Sequence, residues 1–217
     1  MKYSTPFETQ EKVAITHSNK VLRNTYFLLS MTLFWSALCA GFAMLMNLPS
    51  PNFLIMLVGF YGLLFLVEKN RNNKFGVLFT FLFTGFLGYS LGPILNGFLG
   101  AGMGDVVITS LGGTALAFMT ASAYALTTKR DLSFLNGILM AGFVVLLVGM
   151  IANFFLHMPI LNLAISGLFI LFSVGSILLT TQSIIRNGEA NYISATISLY
   201  VSIYNIFISL LNILRSR

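Results

Sequence analysis

Short polar punctuation divides residues 25–214 into seven apolar runs, at 25–46, 53–67, 75–99, 106–126, 134–156, 160–185 and 193–214. A bilayer core about 30 Å thick needs about 20 apolar helical residues to cross it, with roughly 17 to 25 tolerated. Inside that core every backbone polar group has to be satisfied by the protein itself, which leaves the α-helix as the form such runs take. The second run is short by this measure, and Glu68 and Lys69 at its end are placed to snorkel to the interface. The expectation is an all-α membrane protein: a polar N-terminal tail over 1–24, then seven transmembrane helices over 25–217. Composition agrees, with 57% hydrophobic and 8% charged residues, against about 25% charged in soluble domains.

The connections between runs are brief and rich in turn formers, as at 47–51, 100–105, 157–159 and 186–189, so no extramembrane domain fits between the spans. The first run is long enough to span and is expected to remain in the membrane rather than be cleaved as a signal peptide. No internal repeat is evident, unlike the two-halved architecture of many transporters.

The basic excess, 12 Lys and Arg against 6 Asp and Glu, lies in the segments between runs and reports topology rather than nucleic-acid binding. Taking the tail as one side, Lys2, Lys12, Lys20, Arg23, Lys69, Arg71, Lys74, Lys129, Arg130 and Arg186 fall together, with Arg215 and Arg217 alone opposite them. This places the N-terminus in the cytoplasm and the C-terminus outside.

The last run carries Ser194, Ser198, Ser202, Asn205, Ser209 and Asn212, spaced by four, four, three, four and three residues, which is one face of one helix. A polar row along a whole membrane helix points into the bundle, so the seventh helix is expected at the centre, wrapped by the other six. The row is either a seam that glues helices together or the lining of a water or ion path, and the residues do not separate these. The small residues of the fourth to sixth runs, such as Gly112, Gly113, Gly142, Gly149, Gly167 and Gly175, are expected to form packing surfaces.

The acids argue against proton or ion work. Glu8 and Glu11 lie in the tail, Glu68, Asp131 and Glu189 at connections, and Asp105 at the start of the fourth helix, where an N-cap is expected. None falls in mid-membrane, where an ionised side chain costs about 2.5 to 3.5 kcal/mol or more. His17 and His157 stand on opposite sides, Cys39 is alone, and no nucleophile and base converge, so no catalytic site, metal or cofactor is expected.

Within the third run the chain reads Thr84-Gly85-Phe86-Leu87-Gly88-Tyr89-Ser90-Leu91-Gly92-Pro93, a Gly-Pro pair inside a membrane helix where a kink is expected at Gly92 and Pro93. Thr181-Gln182, Asn191-Tyr192-Ile193, Leu199-Tyr200 and Asn205 follow in order. With these the whole chain resembles the Bax inhibitor-1 family of multi-pass membrane proteins. The stretches at 20–27 and 103–116 are similar to its bacterial YccA branch in particular.

The resemblance implies seven helices with the last enclosed. In calcium-leak members two aspartates share a proton and set the open or closed state; the matching positions here are Thr180 and Ser202, both hydroxyls. A hydroxyl neither titrates near neutral pH nor offers the anionic oxygen that a divalent cation favours. The pair is expected at most to hydrogen-bond across the interface, with Gln182, Ser198 and Asn205 as candidates to line any path. For the YccA branch the resemblance implies an inner-membrane protein that binds the membrane-anchored AAA protease FtsH as slow substrate and modulator, with an unstructured cytoplasmic tail as the end the protease would seize. A calcium leak channel is the alternative implied by other branches.

Overall fold

A computed structural model describes the backbone of residues 6–187 and 191–216 and the side chains of 18–186 and 191–216. Glu8, Glu11, His17 and Glu189, with Lys2, Lys12 and Arg217, lie outside the described side chains. The described chain forms seven helices: α1 (Pro6–Leu45), α2 (Phe53–Asn70), α3 (Phe75–Gly100), α4 (Gly104–Thr127), α5 (Phe134–Leu156), α6 (Pro159–Asn187) and α7 (Tyr192–Arg215). Each contains a stretch long and apolar enough to cross a membrane.

The helices coincide with the apolar runs except at the N-terminus. There α1 begins at Pro6 and only its Ser18–Leu45 part has the character of a span, so from Pro6 onward the expected unstructured tail is helical instead. Residues 7–24 contain no glycine or proline to interrupt a helix, and Pro6 occupies the first helical position, where its missing N–H costs nothing. Asp105 is likewise displaced from its expected role: the cap of α4 is Met103, and Asp105 sits inside the first turn. Its charge there favours the positive end of the helix dipole.

α7 occupies the middle. Between Asn191 and Leu214 none of its side chains is exposed, and it packs against α1, α2, α3, α4 and α6. The expected enclosure by six helices is therefore made by five. Among the described residues α5 reaches only α6. Its sequence explains this: only Leu146 is buried, its polar side chains Asn136 and Asn153 stand near its two ends, and a helix whose middle is apolar all round can stand with most of its surface in lipid.

α1 and α3 approach closely along a face of glycines. Gly85, Gly88 and Gly92 repeat at three and four residues along one face of α3. A Cβ on Gly92 would lie 2.5 Å from Ala43 Cβ and 2.9 Å from the Ala40 carbonyl oxygen, and one on Gly85 would lie 2.7 Å from Trp35 Nε1. On Gly88 it would collide with the Ser36 carbonyl oxygen. The glycines of α4 to α6 are less crowded: at Gly112 and Gly167 a Cβ would meet nothing within 4 Å, and at Gly113 and Gly175 it would come to 3.0 Å of a leucine methyl. Pro93 lies inside α3, which continues past it to Gly100.

This crowding predicts opposite outcomes for two alanine substitutions. Gly88→Ala forces backbone apart and lowers stability by about 1–3 kcal/mol, the range for overpacking. Gly112→Ala enters open space and is neutral or stabilising by up to about 1 kcal/mol through helix propensity. Thermal unfolding of the detergent-solubilised protein, followed by Trp35 fluorescence, distinguishes the two.

Candidate functional site

The polar row predicted for the last helix is divided among several partners. At the loop end, Ser194 Oγ donates to Glu68 Oε2 at 3.1 Å, joining α7 to α2. The hydroxyls of Ser198 and Thr180 lie 3.0 Å apart. At the far end, Asn212 Nδ2 donates to Ser166 Oγ at 2.7 Å while its Oδ1 accepts from Asn162 Nδ2 at 3.3 Å, so this part of the row binds α6. Ser209 is buried and Asn205 half-buried.

Thr180 and Ser202 do not bond each other. Thr180 takes Ser198, one turn before Ser202 on α7, and Ser202 Oγ donates to the Ser198 carbonyl at 2.8 Å. A serine hydroxyl in a helix reaches the carbonyl four residues back without crossing any interface. An aspartate at the same position lacks the proton to make that bond when ionised.

Gln182 faces elsewhere as well. Its Oε1 accepts from the Leu132 backbone N–H at 2.7 Å and its Nε2 donates to the Arg130 carbonyl at 2.8 Å, so both amide atoms are held by the α4–α5 connection. Arg186 Nη2 donates to the carbonyls of Lys129 and Arg130 at 2.6 and 2.9 Å. In the same connection Asp131 is exposed, and hydrogen bonds from the Ser133 hydroxyl and amide, with a smaller contribution from Arg186, hold its carboxyl below the usual range. A polar recess of about 360 Å³ opens here, with Asp131, Asn136, Thr180, Gln182, Ser183 and Arg186 around it. Of the three path candidates only Gln182 borders it. Ser198 meets this recess only through Thr180.

A second polar row, absent from the sequence reading, lies on the opposite side of α7. Thr196, Tyr200 and Tyr204 are spaced by four residues. Thr196 Oγ1 donates to the Thr25 carbonyl of α1 at 3.2 Å as well as to Tyr192 of its own helix. Tyr200, 2% exposed, has its hydroxyl 2.5 Å from Ser36 Oγ and donates to the Thr84 carbonyl at 3.2 Å, linking α7 to α1 and α3 together. The Tyr204 hydroxyl lies 3.1 Å from Ser90 Oγ. The available signal was the tyrosine pair itself, because a phenol buried in a span needs a partner for its O–H.

Among the described residues the buried polar side chains are serine, threonine, tyrosine and Gln182, and no three His, Cys, Asp or Glu side chains converge as metal ligands would. The arrangement is suited to joining helices by uncharged hydrogen bonds.

Residues 18–217 match the family described as inhibitor of apoptosis-promoting Bax1. Over 206 residues the chain is 58% identical to a protein of Escherichia coli strain K12 named modulator of FtsH protease YccA, covering 95% of this chain and 94% of that one. A protein of Escherichia coli O6:H1 named inner membrane protein YccA shows the same identity and coverage. A Pasteurella multocida protein is 56% identical over 193 residues, 89% of this chain and 88% of that one.

The geometry of Gln182 predicts that Gln182→Met, similar in size but without the amide, orphans the Leu132 N–H, while the Arg130 carbonyl keeps its bond from Arg186. Stability falls by about 1–3 kcal/mol, the cost of one unsatisfied buried group. Amide exchange at Leu132 speeds up, while exchange at Tyr200 on the opposite side of α7 does not.

Proposed function

The chain belongs to the Bax inhibitor-1 family, and from that premise we propose that it is a bacterial inner-membrane protein that binds the FtsH protease and modulates it as a slow substrate. The observation that carries this reading is the 58% identity, over nearly the full length of both chains, to the protein named modulator of FtsH protease. The reading assigns a regulatory role and no catalytic one.

Three features of the chain support it. The basic residues collect at the connections α2–α3, α4–α5 and α6–α7, which share one side with the N-terminus, the arrangement of a cytoplasmic face. Two of those connections are tied to the bundle: Asn191 Nδ2 donates to the Arg71 carbonyl at 2.9 Å, and Gln182 holds the α4–α5 segment. The chain end on that side, helical from Pro6, precedes the Ser18–Leu45 span and is the segment available to an AAA protease that pulls from the cytoplasm. Because it is helical, it unwinds before it is threaded.

The calcium leak of other branches is not assigned. At the positions that the resemblance matches to its aspartates stand Thr180 and Ser202, and these two bond to the Ser198 hydroxyl and carbonyl rather than to each other.

Two measurements test this. Deleting residues 2–12 is expected to lengthen the protein's lifetime in cells with active FtsH while leaving co-purification with FtsH intact; an unchanged lifetime removes the tail from the mechanism. In vesicles loaded with a calcium dye the natural chain is expected to give no flux above protein-free vesicles, and a pH-dependent flux from it would reverse the ranking. The Thr180→Asp, Ser202→Asp double variant serves as the comparison, since it restores the titratable pair.

A further inference from the structure

α1 and α4 do not pack on each other among the described residues, and between them lies a crevice of about 490 Å³ whose floor is α7. One wall is Ala37, Ala40 and Gly41 of α1; the other is Leu111, Thr114 and Ala115 of α4. Ala37, Leu111 and Ala115 are exposed at its rims, so it opens sideways out of the bundle within the spanning segments. It occupies the half of the bundle nearer the α1–α2 and α3–α4 connections.

Two properties fix what the crevice accepts. Its four polar residues all have partners inside the protein: the Ser36 and Tyr200 hydroxyls meet each other, Tyr204 meets Ser90, and Thr114 Oγ1 donates to the Ser110 carbonyl. None is left for a headgroup or a polar ligand, so the occupant is apolar. Its size is also restrictive. Along α1 the lining runs from Leu33 to Met44, twelve residues that rise about 17 Å along the helix, close to the roughly 15 Å depth of one leaflet's hydrocarbon. A transmembrane helix, which crosses about 30 Å of hydrocarbon, runs well past a crevice of this depth; a single extended hydrocarbon chain of one leaflet ends within it.

We propose that the crevice between α1 and α4 is a binding site for one acyl chain of a bilayer phospholipid, lying along α7. Lipid tails are as apolar as the walls, so no hydrophobic drive selects for entry. Retention comes from packing: a chain in the crevice touches protein on three sides, whereas one on the outer surface touches it on one. The bound lipid therefore exchanges more slowly than its neighbours.

The test uses the full chain in vesicles of phosphatidylethanolamine and phosphatidylglycerol, doped with a phosphatidylethanolamine carrying a diazirine midway along one acyl chain. Irradiation and peptide mass spectrometry locate the label. The lipid-exposed residues Val144, Val148 and Ile151 of α5 serve as the reference for ordinary surrounding lipid. Label at residues 33–44 and 107–119 is expected to persist when the protein is diluted into detergent before irradiation, while α5 label is lost. Gly41→Trp, at a position where a Cβ meets nothing within 4 Å, is expected to cut crevice label by about an order of magnitude and to leave α5 label in vesicles unchanged. Ala115→Leu fills the crevice from the other wall and guards against a folding defect in the first variant. Loss of crevice and α5 label together on dilution, crevice label unchanged in both variants, or protection of the crevice by a cross-linked second protein would each overturn the proposal.

Discussion

A hydroxyl in the hydrocarbon core has only protein to bond to, and α7 carries hydroxyls on two opposite sides. Each interhelical hydrogen bond contributes only about 0.6 kcal/mol in a membrane, but a buried polar group left without a partner costs about 1–3 kcal/mol. The enclosure of α7 is thus enforced more by what exposure would cost than by what each contact gains. On one side Ser194, Ser198 and Asn212 look to α2 and α6; on the other Thr196, Tyr200 and Tyr204 look to α1 and α3. A helix with polar groups on only one side needs a partner on that side alone. One with two such rows has to be surrounded.

The second row depends on the glycines of α3. Tyr200 reaches both the Ser36 hydroxyl of α1 and the Thr84 carbonyl of α3 because these two helices lie close together, and they lie close because Gly88 leaves room for the Ser36 backbone. Packing and hydrogen bonding are here one device. The glycine face sets the distance between α1 and α3, and that distance sets where a phenol from the third helix can be satisfied. Phe83, whose ring centroid is 6.4 Å from that of Tyr200, fills the remaining space on the α3 side.

The number of helices and most of their ends were legible in the sequence because lipid imposes a length and an apolar composition that few other constraints produce. The central place of α7 followed from its serine and asparagine row. Partner choice was not legible, because a spacing identifies a face without identifying what lies opposite: Ser198 rather than Ser202 meets Thr180, and Gln182 turns to the Arg130–Leu132 backbone. The tyrosine row escaped because tyrosine serves equally as an apolar residue at a membrane boundary, and only burial reveals that its hydroxyl is engaged. The isolation of α5 escaped for a related reason. Apolar all round between Asn136 and Asn153, it gave no sign of which side, if any, it would bury. At the N-terminus polar character suggested a loose tail, whereas the absence of breakers lets the helix already nucleated in the first span run on into it.

The uncharged interior bears on how such a bundle yields to force. A protonatable pair between α6 and α7 would make one contact of the interface a switch that a change of pH can throw. Here the same interface is held by the Ser198–Thr180 contact toward the α6–α7 connection and by the Asn162–Asn212–Ser166 cluster at its far end, none of which changes charge near neutral pH. α7 is further tied to α1, α2 and α3 by separate bonds. No single rupture frees it, so unfolding from either end proceeds through many small steps, each uphill by about a kcal/mol or less. Under the proposed role, that distribution makes the chain a slow load for a protease that extracts its substrates from the membrane.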